Sequence, residues 1–402
     1  MWALKVAYYR AFQKIMKVFM YFLDWSEPQL LTGPGCIRQL PGVIADKGIQ
    51  NILIVTDKGL MNLHLLDGLF EELKAKNIHY VVYDGVQPNP SIENIEEARE
   101  LFLQNNCEGI IAFGGGSPMD CAKAAAARVA RPNKSIPQMR GVLKVMHKLP
   151  PFYAVPTTAG TGSETTLAAV VSNTQTHEKY AINDPSLRPK FAVLDPELTV
   201  GLPPHITSTT GLDALTHAVE AYIGKSNVKS TSEYAEKATK LIFENLETAY
   251  NDGKNIEARN NMLLASFYAG MAFTRAYVGY VHAIAHNLGG MYGIPHGLAN
   301  AVILPVVLEE YGSAIYPRLA KLADIAGVPG VSEADKACKF IEAIKGMNTR
   351  MNIPTGFTQI RDEDIDLIVE RAMKEAHPLY PTPVIFTKEH LCDIVRKLKI
   401  EE

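Results

Sequence analysis

Glu108-Gly109-Ile110-Ile111-Ala112-Phe113-Gly114-Gly115-Gly116-Ser117-Pro118-Met119-Asp120 is the stretch on which the fold turns. Its first half is a short apolar run without polar alternation, the pattern of a strand covered on both faces. The strand runs straight into three glycines, and a helix is predicted over 121–129. Glycines let a backbone approach a ligand closely, and a helix N-terminus offers unpaired N–H groups and positive potential. Together they make a phosphate or pyrophosphate cradle. The pattern is neither the GxGxxG fingerprint nor a Walker A loop. Taken alone, it is equally the reading of a tight turn that uses glycine for its geometry.

Upstream, Asn51-Ile52-Leu53-Ile54-Val55-Thr56 and His79-Tyr80-Val81-Val82-Tyr83 are two more short strands. Helices are predicted at 36–48, 65–76 and 92–105, with Ser91 as the N-cap of the last. Leu31 to Gly35 reads as a turn, and Asp57-Lys58-Gly59 ends the first strand. This β-α-β-α-β order argues for a doubly wound parallel sheet of nucleotide-binding type. Downstream, Phe152-Tyr153-Ala154-Val155 feeds Pro156-Thr157-Thr158-Ala159-Gly160-Thr161-Gly162-Ser163-Glu164, a run able to wrap a ligand with backbone and hydroxyl donors. Residues 167–182 read as a β-hairpin with Lys179 near its end. Phe191-Ala192-Val193-Leu194 is the last strand, closed by Asp195-Pro196.

From His205 the pattern becomes helical, at 206–222, 231–249, 255–290, 297–311, 316–326, 332–347, 362–375 and 388–398. Three regions follow: an amphipathic extension over 1–27, an α/β NAD-binding domain over 28–204, and an all-helical metal-binding domain over 205–402. Three of the chain's eleven histidines, His282, His286 and His296, lie within fifteen residues of this last region. His282 and His286 share a helical face, as do Asp213 and His217. Two such helices can enclose one divalent cation with an O,N,N,N donor set and leave room for a substrate oxygen. Any one of these histidines alone reads as a satisfied core residue; the cluster does not. Spacing leaves open which of the four stays off the cation.

The 402 residues carry a net charge of −3, so nucleic acid is not an expected partner. The five cysteines are scattered without a CxxC pair, as in a reduced cytoplasmic protein. The first 25 residues, MWALKVAYYRAFQKIMKVFMYFLDW, are aromatic and amphipathic, with Lys5, Arg10, Lys14 and Lys17 breaking the apolar run. They match neither a spanning helix nor a signal peptide. Docking on the parent domain or a second subunit is the favoured reading, ahead of peripheral contact with a membrane surface.

A dinucleotide in one domain and a divalent cation in the other point to hydride transfer in a cleft between them. Asp57, at the end of the first clear strand, is placed to accept from the adenosine ribose hydroxyls and to repel a 2′-phosphate, which favours NAD over NADP. As a plain turn residue it would look the same.

The chain resembles the iron-containing (group III) alcohol dehydrogenases, the family of lactaldehyde reductase and the 1,3-propanediol and butanol dehydrogenases. The resemblance covers about residues 28 to 400. It rests on 86–90 (VQPNP), 114–120 (GGGSPMD), 156–164 (PTTAGTGSE), 211–220 (GLDALTHAVE) and the block from His282 to His296, all in family order. It implies a dehydroquinate synthase-like fold and metal ligation by Asp213, His217, His282 and His296, with Fe2+ favoured and Zn2+ compatible. It implies that His286 lies off the metal, near the nicotinamide and substrate, in proton relay or substrate positioning. Asp57, Asn89, Gly115, Gly116, Ser117, Thr157, Thr158 and Lys179 match the family's cofactor contacts, and Asp120, closing the cradle, is grouped with them. The implied activity is NAD(H)-dependent oxidation of a small primary alcohol or reduction of its aldehyde, by a homodimer or larger homo-oligomer. Polyol or hydroxy-acid dehydrogenation on the same scaffold is the nearest alternative. A metal-dependent lyase or cyclase that uses NAD transiently is more distant, and a non-catalytic scaffold more distant still. The segment 377–383 (HPLYPTP) departs from the family's stretch near the substrate pocket. Phe267, Phe273 and Tyr277 are candidates for the pocket lining.

Overall fold

The computed structural model describes residues 2–23, 25–174 and 178–401. It divides into two compact units. One contains residues 24–201 together with 254–263; the other contains 1–23, 202–253 and 264–402. Of the 1–27 extension, the part up to residue 23 groups with the helical unit and the rest with the α/β unit.

The α/β unit carries strands β1 (Gln29–Thr32), β2 (Asn51–Val55), β3 (His79–Tyr83), β4 (Gly109–Gly114), β5 (Gly141–Val142), β6 (Phe152–Pro156), β7 (Ala168–Asn173), β8 (Glu178–Asn183) and β9 (Phe191–Leu194). Its helices are α2 (Leu40–Asp46), α3 (Lys58–Asn62), α4 (Asp67–Ala75), α5 (Ile92–Gln104) and α6 (Gly116–Ala130). Six strands form a sheet in the order β1-β9-β6-β4-β2-β3, every pair parallel. The strands read as unbroken apolar runs because both faces are covered. Leu53, Val55, Ile110 and Ala112 point into one core, while Ile52, Ile54, Ile111 and Phe113 point into the other. From β2 the chain moves to β3 on one side and then to β4 on the other. The strand order thus reverses between β2 and β4, where doubly wound sheets open a crevice at the strands' carboxyl ends.

The predicted hairpin is present as the antiparallel pair β7 and β8, joined by β5 in a small second sheet; its turn at 175–177 lies outside the described residues. Three local expectations are corrected. Helix α6 begins at Gly116, so the last glycine of the cradle is already in the first helical turn. The predicted turn at 31–35 is present over 33–35, while Leu31 and Thr32 belong to β1, which pairs in register with β9. Asp57 does not simply end a strand but caps α3, its Oδ1 accepting the Leu60 N–H at 2.9 Å.

The second unit is helical. It is built from α1 (Trp2–Tyr21), α7 (Pro204–Ile223), α8 (Lys229–Asn251), most of α9 (Ile256–Ala276), α10 (Tyr280–Tyr292), α11 (His296–Tyr311), α12 (Tyr316–Ile325), α13 (Glu333–Arg350), α14 (Ile365–Ala376) and α15 (Lys388–Lys397). The single helix predicted over 255–290 is two helices. The break falls at residues 277–279, where Tyr277 takes a left-handed φ of 67°. A Cβ on Gly279 would stand 2.7 Å from Glu220 Oε1, so glycine is required there. Among the described residues no helix is long and apolar enough to cross a membrane.

Lys123 is fully buried in α6 and holds the loop after β6 in place. Its ammonium donates to the carbonyls of Ser163, Thr166 and Ala168 and to the hydroxyls of Ser163 and Thr166, all within 3.0 Å. Burial pushes this group down to about 8, against the pull of Asp120 and Glu164 toward the charged form. Lys123→Met is expected to leave three carbonyls without their donor and to cost about 3 kcal/mol. A lowered urea midpoint with unchanged slope is the expected reading.

Candidate metal centre and nucleotide cradle

Helix α7 presents Asp213, His217 and Glu220 at i, i+4 and i+7, which places them on one face. Helix α10 presents His282 and His286. His296 opens α11 immediately after Pro295. Gly297 lets α11 cross α7 closely, since a Cβ there would meet the Thr209 carbonyl oxygen at 2.4 Å.

Asp213, His217 and His282 are buried, and one donor atom from each lies within 4.8 Å of the others. Asp213 Oδ1 is 3.8 Å from His282 Nε2 and 3.5 Å from His296 Nε2, and Asp213 Oδ2 is 4.0 Å from His217 Nδ1. The geometry thus brings together all four residues expected to ligate. Among three of them stands the Asn300 amide nitrogen, 2.6 Å from Asp213 Oδ1 and 3.2 Å from both His282 Nε2 and His296 Nε2. The Asn300 carbonyl oxygen is buried without a hydrogen-bond partner. Three acceptors converging on one donor, at the expense of that amide's own oxygen, is the arrangement a divalent cation would satisfy better. The donor set of one carboxylate and three imidazoles fits Fe2+ or Zn2+.

His282 is held well below its ordinary pKa, first by burial and then by His217, His296 and His286. It is therefore neutral, with a lone pair to give. Its tautomer follows from Glu220. That buried carboxylate accepts the Gly279 N–H and His282 Nδ1 on Oε2, at 2.8 and 2.7 Å, and the Val281 N–H on Oε1 at 2.8 Å. Both N–H groups donate regardless of pH, so Glu220 acts as acceptor and His282 carries its proton on Nδ1, leaving Nε2 facing Asp213. Burial raises the Glu220 carboxyl to about 7, against the backbone N–H groups, Gly279 and Val281 among them, that favour its charge. Glu220 stood in the quoted 211–220 motif without a role, although its spacing from Asp213 and His217 already placed it on their face.

His286 lies beside this cluster rather than in it. Its ring stacks on that of His296 with centroids 5.1 Å apart, and its Nδ1 bonds Glu375 Oε1 at 2.7 Å. Tyr380 Oη donates to the same carboxylate oxygen at 2.8 Å and is held well above its ordinary pKa by burial and by Glu375. The loop carrying Tyr380 is in turn held by α1. Gln13 donates to the Tyr380 and Pro378 carbonyls, Arg10 donates to those of Thr382 and Pro383, and Tyr9 stacks on His377. Sequence reasoning did not mark Glu375, and it singled out Tyr380 only as part of the 377–383 segment. Phe273 stacks on His217 at 4.0 Å, whereas Phe267 is plain core.

In the α/β unit, most of the residues expected to contact the cofactor gather at the carboxyl ends of β2, β4 and β6. The Asn89 N–H donates to Ser117 Oγ at 3.2 Å, and Lys179 Nζ donates to Asn89 Oδ1 at 2.6 Å. A Cβ on Gly115 would press on Thr158 Oγ1 at 3.2 Å, and one on Gly116 on Thr161 at 3.1 Å. Gly114 has φ 145°, and a Cβ there would collide with Pro118 at 2.6 Å. Thr157 is buried, its N–H on the Gly114 carbonyl. Asp120 has another occupation: its oxygens accept the Ser163 hydroxyl and the Val170 N–H, both at 3.1 Å. Ser163 and Thr166 likewise face Lys123, so only part of the 156–164 run is available to a ligand.

Glu220→Gln keeps the shape of the site but reverses one side of its hydrogen-bond logic. It is expected to weaken divalent-metal affinity about 10- to 100-fold. Competition against a chelator, read as metal per chain, measures this, with circular dichroism unchanged.

The sequence matches the family model described as "Iron-containing alcohol dehydrogenase" over residues 28–196, and "Fe-containing alcohol dehydrogenase family, C-terminal" over 207–399. The 1,3-propanediol dehydrogenase of Klebsiella pneumoniae is 40% identical over 351 residues, 86% of this chain and 90% of that protein. Alcohol dehydrogenase 4 of Saccharomyces cerevisiae (strain S288c) is 39% identical over 368 residues, 91% and 95% of the two chains. Among solved structures, an alcohol dehydrogenase from Oenococcus oeni superposes with a TM-score of 0.90 at 37% identity, covering 93% of this chain and 99% of that one. Both halves of the sequence, the doubly wound sheet and the helical unit with its Asp-His cluster agree, and the chain belongs to the iron-containing alcohol dehydrogenase family.

Proposed function

We propose that this protein is a metal-dependent, NAD(H)-linked alcohol dehydrogenase acting between a small primary alcohol and its aldehyde. The observation that carries the reading is that His217, His282 and His296 all face the Asp213 carboxylate, with the Asn300 amide bonded to Asp213, His282 and His296. These four residues would hold the metal, with iron as the native ion. When bound, the metal supplies Lewis acidity at the substrate oxygen and the nicotinamide takes or gives the hydride.

The chain's own residues do the rest. Glu220 fixes the His282 ring and tautomer. His286 is oriented through Nδ1 by Glu375, leaving Nε2 to accept or return the hydroxyl proton. Tyr380, kept protonated, fixes Glu375. Gly115, Gly116, Ser117, Thr158 and the start of α6 form a cradle for the cofactor's pyrophosphate, beside Thr157, Asn89 and Lys179. Asp120 is not among the contacts, because both its oxygens are already accepting. Asp57 uses Oδ1 for its capping bond, and its second oxygen serves the ribose hydroxyls. We place the protein in the cytoplasm as a homo-oligomer. The first part is supported by five unpaired cysteine thiols, the second by the family resemblance.

The reading is tested by stripping the protein with chelator, reloading it with Fe2+ or Zn2+ without oxygen, and following NADH absorbance on short alcohols and aldehydes. Metal-dependent turnover, lost in His282→Ala, is expected. Stoichiometric metal binding with no net NADH change would favour a lyase instead. Asp57→Gly, which costs little as a cap, is expected to raise the NADPH-to-NADH preference by about tenfold. Gln13→Ala loosens the loop that carries Tyr380, and kcat is expected to fall about tenfold with a smaller change in KM. Steady-state kinetics separates the two.

A further inference from the structure

The polar side chains of α1 that face the helical unit are all engaged there. Gln13 is buried, Arg10 and Gln13 hold the 378–383 carbonyls, and Lys17 donates to the carbonyls of Lys225 and Asn227. The opposite face is apolar and in solvent: Leu4 is 77% exposed and Ile15 68%, with Tyr8, Val18 and Phe19 beside them, and Tyr21 and Phe22 are exposed at the end of the helix. Among the described residues, seven of the thirteen exposed large hydrophobic side chains lie in these first 22 positions. Scattered exposed apolar residues need no explanation, but a contiguous stripe marks a contact surface.

At 3.6 residues per turn, Leu4, Tyr8, Ile15, Val18 and Phe19 fall within about 100° of arc. Lys14 borders the stripe on one edge and Lys5 on the other. Residues 2–23 contain no Asp or Glu. The apolar surface continues from the C-terminal end of α1 into a cavity of about 480 Å³, lined by Val18, Met20, Tyr21, Phe22, Val228 and Tyr277, with Lys14, Lys17 and Arg275 also on its walls.

We propose that this face of α1 lies in the plane of an anionic bilayer surface, its apolar stripe among the acyl chains and Lys5 and Lys14 at the headgroups. Charge selects this occupant. A twofold contact between two copies would set the same basic face against itself with no carboxylate in the helix to answer it. A surface of anionic lipid headgroups complements it. A helix of this kind turns its apolar face to lipid and lets flanking lysines reach the headgroups. Here the inner face is committed to the enzyme, so the helix tethers the helical unit without unfolding from it.

The test is flotation of the full-length, metal-loaded protein with vesicles of phosphatidylglycerol and phosphatidylcholine, against vesicles of phosphatidylcholine alone. Binding to the anionic vesicles only is expected. Lys5→Gln and Lys14→Gln should weaken it about fivefold each. The double variant Ile15→Glu, Val18→Glu should abolish it while keeping alcohol turnover. Sedimentation velocity on the same variants gives the oligomeric state. The proposal is overturned if the wild-type protein does not float with anionic vesicles, or if the glutamate variant floats equally well. It is also overturned if that variant splits an oligomer while vesicle binding is absent throughout, since the face then belongs to a second copy.

Discussion

The helical unit depends on one buried carboxylate. Glu220 sits on α7 with no solvent to stabilise its charge, and it is satisfied only because the chain between α9 and α10 breaks. The break turns the Gly279 and Val281 N–H groups inward, and the third donor is His282. One interaction therefore accounts for a helix boundary, a glycine that tolerates no side chain and the tautomer of His282. Removing it would leave two N–H groups and an imidazole N–H in a water-free interior, at about 1–3 kcal/mol for each unsatisfied group. A histidine held this way has its ring and tautomer fixed by the fold itself.

The α/β unit solves a comparable problem with the opposite charge. A cradle of glycines and small hydroxyl residues has little side-chain bulk to hold its shape. Lys123 supplies the rigidity from below, gathering the carbonyls of Ser163, Thr166 and Ala168, while Asp120 ties Ser163 to the hairpin through Val170. The glycines at 114–116 then remain close to Thr158 and Thr161, with the first turn of α6 opening directly from them.

Much of this was legible in the sequence. Short apolar runs give buried parallel strands because both faces are covered, and i,i+4 polar pairs on apolar helices lead to the Asp-His cluster. The break at 277–279 was not legible, because apolar periodicity runs through it and its cause, Glu220, lies on another helix. Lys123 in an alanine-rich helix reads as a surface residue until the 163–168 carbonyls close around it. Glu375 and Tyr380 reach His286 through tertiary contacts across about ninety positions, beyond any local pattern. Residues 1–25 showed an amphipathic helix, but periodicity does not say which face the fold will claim. Here Arg10, Gln13 and Lys17 were claimed, and the larger apolar stripe was left outside.

The central claim is that Asp213, His217, His282 and His296 form one metal site that takes the substrate oxygen. Anaerobic titration of the stripped protein with Co2+, followed by its visible spectrum, tests this most directly. The account predicts one equivalent bound with a low-symmetry N,O spectrum, lost in Asp213→Ala and perturbed when a short alcohol is added with NAD. A Co2+ spectrum that survives Asp213→Ala, or ignores every alcohol offered, would contradict it.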